Sequence, residues 1–255
     1  MYAAVRRQKI LGLVESQGTV NVEDLAEQFD ISRAAIRRDL NELARAGHLE
    51  RTYGGAVKIN IEAETAPYEK RLVLHAGEKR LIGAAAAAHV SPGETVFVDC
   101  GTTTEILTEY LREKPQRTLV TPCLRILNRV ADCDHITVVA IRGVLDHQHQ
   151  TLGGALGPDF LSYHNIRFDK AFISAGGVSI EQGITSARLG ELPVKKRAIE
   201  LANESILVAD ASKIGKYGVG ILGPIRLIDR LITGRSALAE TVEAIRTLGV
   251  VVELV

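Results

Sequence analysis

The sequence predicts a two-part α/β protein: a short helix-turn-helix unit with a β wing, then a larger, mostly parallel sheet domain. Three observations carry this. Residues 1–57 hold three runs at helical spacing and a glycine-marked hairpin. From Glu94 onward, short apolar runs alternate with helical segments, as in a parallel sheet covered on both faces. Between the two parts lies a polar stretch, 58–69, containing Pro67 and showing weak periodicity, which reads as a linker and leaves 70–255 as the second domain. At 255 residues and 46% hydrophobic content, the chain is long enough for two cores.

In the first part, residues 4–16 set Ile10, Leu11 and Val14 behind a basic start at Arg6, Arg7 and Lys9, which predicts a supporting helix. Val22, Leu25, Ala26 and Phe29 make a short amphipathic helix, and Asp30 and Ile31 leave room only for a tight turn. Ser32 is then a good N-cap and Gly47 a good terminator for the next helix. Ile36, Leu40 and Leu43 give that helix a buried stripe, whereas Arg33, Arg37 and Asn41, with Arg38 beside them, form an outward row. Leu49–Val57 reads as strand, Gly54-Gly55 turn and strand, a wing. Two short helices across a tight turn, the second one basic, suit the major groove of DNA, where Arg pairs with guanine and its neighbours hold phosphates. The candidate DNA-binding residues are Ser32, Arg33, Arg37, Arg38 and Asn41, with Arg51 and Tyr53 on the wing. A solvated basic face is the plainer reading of the helix alone; the helix before it and the wing after it argue against that.

Charge excludes a global attraction to nucleic acid. Lys plus Arg and Asp plus Glu both number 31, so any basic patch is local. Cys100, Cys123 and Cys133 are an odd set without CxxC spacing, which favours free thiols in a reducing compartment over disulfides or zinc. With no signal peptide and no apolar run of spanning length, the expectation is a cytoplasmic protein that makes no use of a membrane.

In the second part a helix is expected from about Tyr68 to His89, its Ala84–Ala88 run permitting close backbone approach. Strands are expected at Val96–Asp99, Thr118–Thr121, Ile136–Ile141, Lys170–Ser174, Ser205–Ala209, Leu231–Thr233 and Val250–Val255. The intervening helices are Thr103–Arg112, Leu124–Ala131, Pro158–Tyr163, Pro193–Asn203 and Ala237–Leu248.

Three constellations stand at strand ends. In Val96–Leu107 a strand runs into Asp99, a Gly101 turn and Thr102, Thr103 and Thr104, then a helix, so free amides and hydroxyls meet a positive helix end that suits an anion. In Leu207–Gly218 a strand ends at Asp210 before Ser212 and Lys213. In Ala171–Ser186 a strand is followed by Gly176 and Gly177, with Thr185 and Ser186 in the next loop. Polar turns explain each segment singly; strand ends of one parallel sheet open onto a common crevice, which predicts that they converge. Two matches fail their context. Gly218–Gly223 fits G-x-G-x-x-G, but Pro224 follows and no helix opens. His147 and His149 lack a third metal ligand at useful spacing.

Arg6, Ile10 and Val14, the Ile36-Arg37-Arg38-Asp39-Leu40 run after Ser32, and Tyr53-Gly54-Gly55-Ala56 resemble the N-terminal signature of the DeoR family of bacterial transcriptional regulators. Ala35 stands where that family usually has Thr, which leaves the operator sequence open. The strand-end motifs, with Gly190-Glu191-Leu192-Pro193-Val194-Lys195, resemble the family's effector-sensing domain, similar in fold to ribose-5-phosphate isomerase. They look closest to its deoxyribonucleoside-operon branch, whose effector is deoxyribose-5-phosphate. Departures at Pro122, Arg142-Gly143 and Thr233-Gly234 leave the sugar open. The resemblance implies a non-enzymatic regulator, most simply a repressor of sugar or nucleoside catabolism, without cofactor or metal. It would bind operator DNA as a homo-oligomer and a phosphorylated sugar through Asp99, Gly101, Thr102, Thr103, Thr104, Gly176, Thr185, Ser186, Asp210 and Lys213. The alternative is an isomerase-like enzyme with an appended DNA-binding module, and Asp99, Asp210, Glu191 and Lys213 supply acid-base groups without a paired-carboxylate motif.

Overall fold

The computed structural model describes residues 3–17, 19–45, 49–52, 54–57, 68–115 and 117–255, and the chain divides into two compact units, 1–60 and 61–255.

In the first unit, helix Ala3–Gln17 precedes strand β1 (Thr19–Asn21), helices Val22–Phe29 and Arg33–Arg45, and strands β2 (Glu50–Thr52) and β3 (Gly55–Val57). Asn21 caps the second helix by accepting from the Glu23 amide at 2.7 Å, and Asp30 closes it in the left-handed region at φ 51°. The sheet order is β1-β3-β2, antiparallel throughout. β1 is an addition to the two-strand wing. It pairs so tightly that a Cβ on Gly55 would lie 2.1 Å from the Val20 carbonyl oxygen. Ile10, Val14, Val22, Leu25, Ile36, Leu40 and Leu43 form the core, matching the stripes read from spacing. Gly47 and Tyr53 lie outside the described residues.

The second unit is built on a seven-stranded sheet, all parallel, of β4 (Thr95–Val98), β5 (Arg117–Thr121), β6 (Ile136–Ala140), β9 (Phe168–Ser174), β12 (Ala202–Val208), β14 (Arg230–Thr233) and β15 (Val251–Leu254). Their order is β15-β14-β12-β9-β4-β5-β6. Alternate residues feed two cores. Val96, Val98, Leu119, Phe172 and Ile206 pack with Ile82, Ala86, Leu107 and Ile126, whereas Phe97, Val120, Ala171, Ile173 and Leu207 pack with Leu161, Val194, Ala198 and Ile245. On the first face, helices Ala76–Ala88 and Thr102–Arg112 meet so closely at Gly83 that a Cβ there would lie 3.1 Å from the Leu107 amide.

Several expected boundaries shift. A helix starts at Tyr68, as its spacing predicts, and ends at Val73; residues 58–67 lie outside the described set. The single helix expected to His89 breaks at His75, which sits at φ 55° before Ala76–Ala88. That break lets the Lys79 ammonium turn back and donate to the Arg71 carbonyl at the end of the first helix. Helix Leu192–Glu200 stops earlier than the expected Asn203 because Ala202 and Asn203 already pair in β12. Short antiparallel strands were not expected. These are the hairpin β7 (Val144–Asp146) and β8 (Thr151–Gly153), and a small sheet of β10 (Gly177–Ser179), β11 (Gly183–Ser186) and β13 (Gly220–Gly223). The G-x-G-x-x-G match lies partly in β13, and His147 and His149 lie in the hairpin turn, where the His149 Nδ1 pairs with Asp146 at 2.8 Å.

Candidate functional site

In the first unit the Arg33–Arg45 helix separates its roles by face. The Ser32 hydroxyl accepts from the Ala35 amide at 3.3 Å and so caps the helix. Ile36 and Leu40 are buried, and Asp39, 2% exposed, accepts from Arg6 Nε at 2.5 Å and Arg7 Nε at 3.0 Å. The run of signature residues is thereby explained: apolar positions and Asp39 clamp the helix to the first one. Ser32, Arg33, Arg37, Arg38 and Asn41 are exposed. Arg33 is 3.5 Å from Glu23. Arg51 Nε donates to the Asn41 side-chain oxygen at 2.9 Å, and its other arm donates to the Gly55 carbonyl. The wing is thus braced on the helix by two of the residues expected to touch DNA. Burial, and then the charge of Arg37, pull the Arg51 guanidinium below its usual range.

In the second unit the chain lays down β4, β5 and β6 in one direction and then returns β9 to the other side of β4. The strand order reverses between β4 and β9, and their C-terminal ends form the crevice where open parallel sheets bind ligands. Gly101 opens the Thr102–Arg112 helix there, with no side chain capping its first amides. A Cβ on Gly101 would lie 2.7 Å from Ser174 Cβ, so only glycine lets the two strand ends approach this closely.

Beneath the crevice is an ion network. Asp99 Oδ2 accepts from the Ser174 amide (2.9 Å), the Ser174 hydroxyl (2.6 Å) and Lys195 Nζ (2.7 Å). Lys195 also donates to the Ser174 carbonyl at 3.0 Å and lies 3.4 Å from Glu191. Burial pulls its ammonium down, but Asp99 and Glu191 outweigh that and hold it above the usual lysine range. Arg188 Nε pairs with Glu191 at 2.9 Å, and its guanidinium donates to the Cys100 carbonyl at 3.3 Å. Glu191 is 5% exposed, and among the described residues its two oxygens accept no hydrogen bond. Behind the turn the Tyr68 hydroxyl donates to Glu105 and, at 3.4 Å, to the Gly101 carbonyl, with Arg71 and Arg125 over its ring. Burial first, and then Glu105, push that phenol far above its usual range, so it stays a donor.

A second group stands at the end of β12. Asp210 accepts from the Ser212 amide at 3.2 Å and from its hydroxyl, and lies 4.0 Å from Lys79. Burial lowers the Lys79 ammonium to about 8, against Asp210, with the charges of Lys213 and Arg71 adding to the shift. Glu78 accepts from the Ala211 amide at 2.6 Å and fills the space over Gly234.

The expected residues therefore divide. Asp99, Gly101 and Thr104 meet at the reversal point, but Asp99 is spent on Lys195 and Ser174, and the Thr104 hydroxyl donates to the carbonyls of Asp99 and Gly101. Thr102 and Thr103 occupy the first helical turn and are buried. Thr185 accepts from the Gly218 amide and donates to Gly177, Gly176 donates to the Thr185 carbonyl, and Ser186 accepts from the Arg188 amide at 3.2 Å. Those three fasten the small sheet and position Arg188. Asp210 and Lys213 belong to the second group. Arg188, Lys195, Ser174, Arg71 and Lys79 were not among the expected site residues. The one available signal was Glu191 and Lys195 four apart on a helical run.

Residues 6–62 match the family model described as DeoR-like helix-turn-helix domain, and residues 74–235 match that described as DeoR C terminal sensor domain. A DNA-binding unit followed by a sensor unit defines a class, the two-domain transcriptional regulator. The chain belongs to the DeoR family. It is 32% identical over 231 residues to the HTH-type transcriptional regulator IolR of Bacillus subtilis, covering 91% of both chains. It is 31% identical to the HTH-type transcriptional regulator GlpR of Haloferax volcanii, over 99% of this chain and 98% of that one. It is 30% identical to the glycerol-3-phosphate regulon repressor of Escherichia coli, over 89% of each. Among solved structures, ribose 5-phosphate isomerase A from Methanocaldococcus jannaschii overlays on 55% of each chain at TM-score 0.41 and 16% identity. The sorbitol operon regulator SorC from Klebsiella pneumoniae covers 95% of this chain and 97% of its own at TM-score 0.41 and 15% identity. The relatives are regulators and repressors, and this chain is a regulator of their family rather than an enzyme. No described helix is long and apolar enough to cross a membrane.

Proposed function

We propose that the chain is a repressor whose affinity for operator DNA is set by a phosphorylated sugar held at the β4/β9 reversal point. The observation that carries this is the uncapped helix start at Gly101 standing over the buried Lys195-Asp99-Glu191-Arg188 network. Amides of Gly101–Thr104 bind the phosphate, with Arg188 swinging from the Cys100 carbonyl to meet it and Lys213 as a further charge. Glu191, buried beside Arg188 and Lys195, takes a sugar hydroxyl. Arg33, Arg37 and Arg38 face the operator, and paired half-sites call for a homo-oligomer. The relative named for a glycerol-3-phosphate regulon supports a small phosphorylated polyol or sugar as ligand, and deoxyribose-5-phosphate is the first candidate.

Calorimetry with deoxyribose-5-phosphate, ribose-5-phosphate, a tetrose phosphate and their unphosphorylated forms tests the reading. Loss of the phosphate should weaken binding at least about tenfold, since each charge-assisted hydrogen bond contributes about 1.5–3 kcal/mol. Arg188→Ala should do the same. Equal affinity for sugar and sugar phosphate, or an unaffected Arg188→Ala, refutes the cradle.

A further inference from the structure

Two thiols meet beside this crevice. Cys100 ends the turn after β4 and Cys123 follows β5, and their sulfurs lie 2.9 Å apart, both side chains fully buried. Cys133, the third cysteine, bonds instead to Asp132 at 3.7 Å. Contact between two cysteines from adjacent strand ends goes beyond the free, separate thiols that composition suggests.

The pair is unequal. The Cys100 thiol donating to the Cys123 sulfur holds Cys123 below the usual thiol range, and the amides of Ile126 and Arg125 add to this against burial. The same hydrogen bond, with burial, pushes Cys100 up. Cys123 is therefore the sulfur that reaches the nucleophilic thiolate form, with Cys100 placed to resolve what it forms. A short hairpin lies against them. The Cys100 thiol faces the His149 carbonyl at 3.7 Å, Leu124 donates to Gln150 and Leu152 to Pro122, both at 2.9 Å, and Cys123 bridges Thr151. Local opening of that hairpin is the route by which a small oxidant reaches the sulfurs.

We infer that Cys100 and Cys123 form a reversible dithiol-disulfide modification site for a small two-electron oxidant of the peroxide class. The Cys123 thiolate attacks one peroxide oxygen, the O–O bond breaks, and the departing hydroxide takes a proton to become water. The sulfenic acid on Cys123 is then attacked by the Cys100 sulfur; the S–S bond forms, the S–O bond breaks, and a second water leaves. Two thiols lose two electrons and two protons, and one peroxide becomes two waters. The disulfide ties the residue between Asp99 and Gly101 to the start of the Leu124–Val130 helix. It fixes the carbonyl that Arg188 holds and so acts on the loop that shapes the crevice.

The test uses the full chain, treated with hydrogen peroxide, denatured and alkylated, then weighed intact and peptide-mapped. The expected result is a loss of two hydrogens, one thiol left to alkylate, and a Cys100–Cys123 linked peptide, all reversed by dithiothreitol. Cys133→Ser should form the link unchanged. Cys100→Ser should lose the link and gain one oxygen on Cys123. Three alkylated thiols after peroxide, a link through Cys133, or oxidation confined to Cys133 overturns the inference. The wild-type and Cys133→Ser results decide the matter even if Cys100→Ser fails to fold.

Discussion

Replacing Lys195 by Met removes the cation at the centre of the sensor unit while keeping its length. Lys195 is 1% exposed at the side chain, Asp99 2% and Glu191 6%, so the change leaves two carboxylates in the interior without the cation that lies between them. Breaking one side of a buried pair costs about 3–5 kcal/mol. For a unit of this size each kcal/mol moves the melting temperature about 2–4 °C, so the transition should fall by about 6–20 °C. Adding Asp99→Asn to the same chain removes the stranded charge and keeps an acceptor for Ser174, and should recover most of the loss. Circular dichroism melts of wild type, Lys195→Met and the double variant read this out. The pH dependence has a definite sign. Lys195 titrates above the ordinary lysine value of 10.5, so its contribution is whole below that value and is lost as pH rises through the higher folded one. The gap between wild type and variant should therefore stay constant from about pH 6 to 9. A drop under about 2 °C, or a double variant no better than the single, refutes the account of Lys195 as the charge that lets Asp99 and Glu191 be buried.

Arg37→Ala should lose about 1–3 kcal/mol of preference for operator over scrambled DNA, read from salt-dependent binding titrations, because the residue stands on the exposed row. Asp39→Ala should cost the first unit about 1.5–3 kcal/mol by removing the buried acceptor that Arg6 and Arg7 share, visible as faster amide exchange across Arg33–Arg45. Gly101→Ala places a methyl 2.7 Å from Ser174 Cβ, and about 1–3 kcal/mol of destabilisation should accompany loss of the effector response in a DNA-binding assay. Lys79, depressed to about 8 by burial, is charged in the unfolded chain and neutral in the folded one between about 8 and 10.5, so stability should rise with pH across that window. Lys79→Met should flatten that slope in denaturant titrations.

The sequence made the large elements plain because they are set by local rules. Ile36, Leu40 and Leu43 announce a helix face, and alternation within Val96–Val98 and Ala171–Ile173 announces strands buried on both sides. Strands of three residues, such as β1, β7 and β10, are too short for a period to show, and β1 exists only by pairing with β3 further along the chain. The reversal point is a property of strand order, and strand order is not written in any one segment. For that reason Asp99 was legible as a strand-end carboxylate, while its pairing with Lys195 and Ser174 was not. Lys213 reads as a site residue for a similar reason: sequence places it after a strand but does not say that Lys79 comes from an earlier helix to lie beside Asp210.

The return of β9 to the far side of β4 also orders events in time. Asp99 and the Ser174 that fixes it are 75 residues apart, and Lys195 lies further on. A chain emerging from the ribosome can form the β4-β5-β6 half from local contacts, but its Asp99 has neither partner until β9 and the Leu192–Glu200 helix have been made. Contacts of such long sequence separation form slowly, because the loop must be closed before they reward it. The Asp99-Lys195-Glu191 network at the β4/β9 strand ends is therefore among the last features to mature. Once the crevice exists, any ligand that occupies it draws the folding equilibrium forward by mass action. Under the function proposed above, the amount of finished regulator and the level of its effector are thereby linked even before DNA is involved.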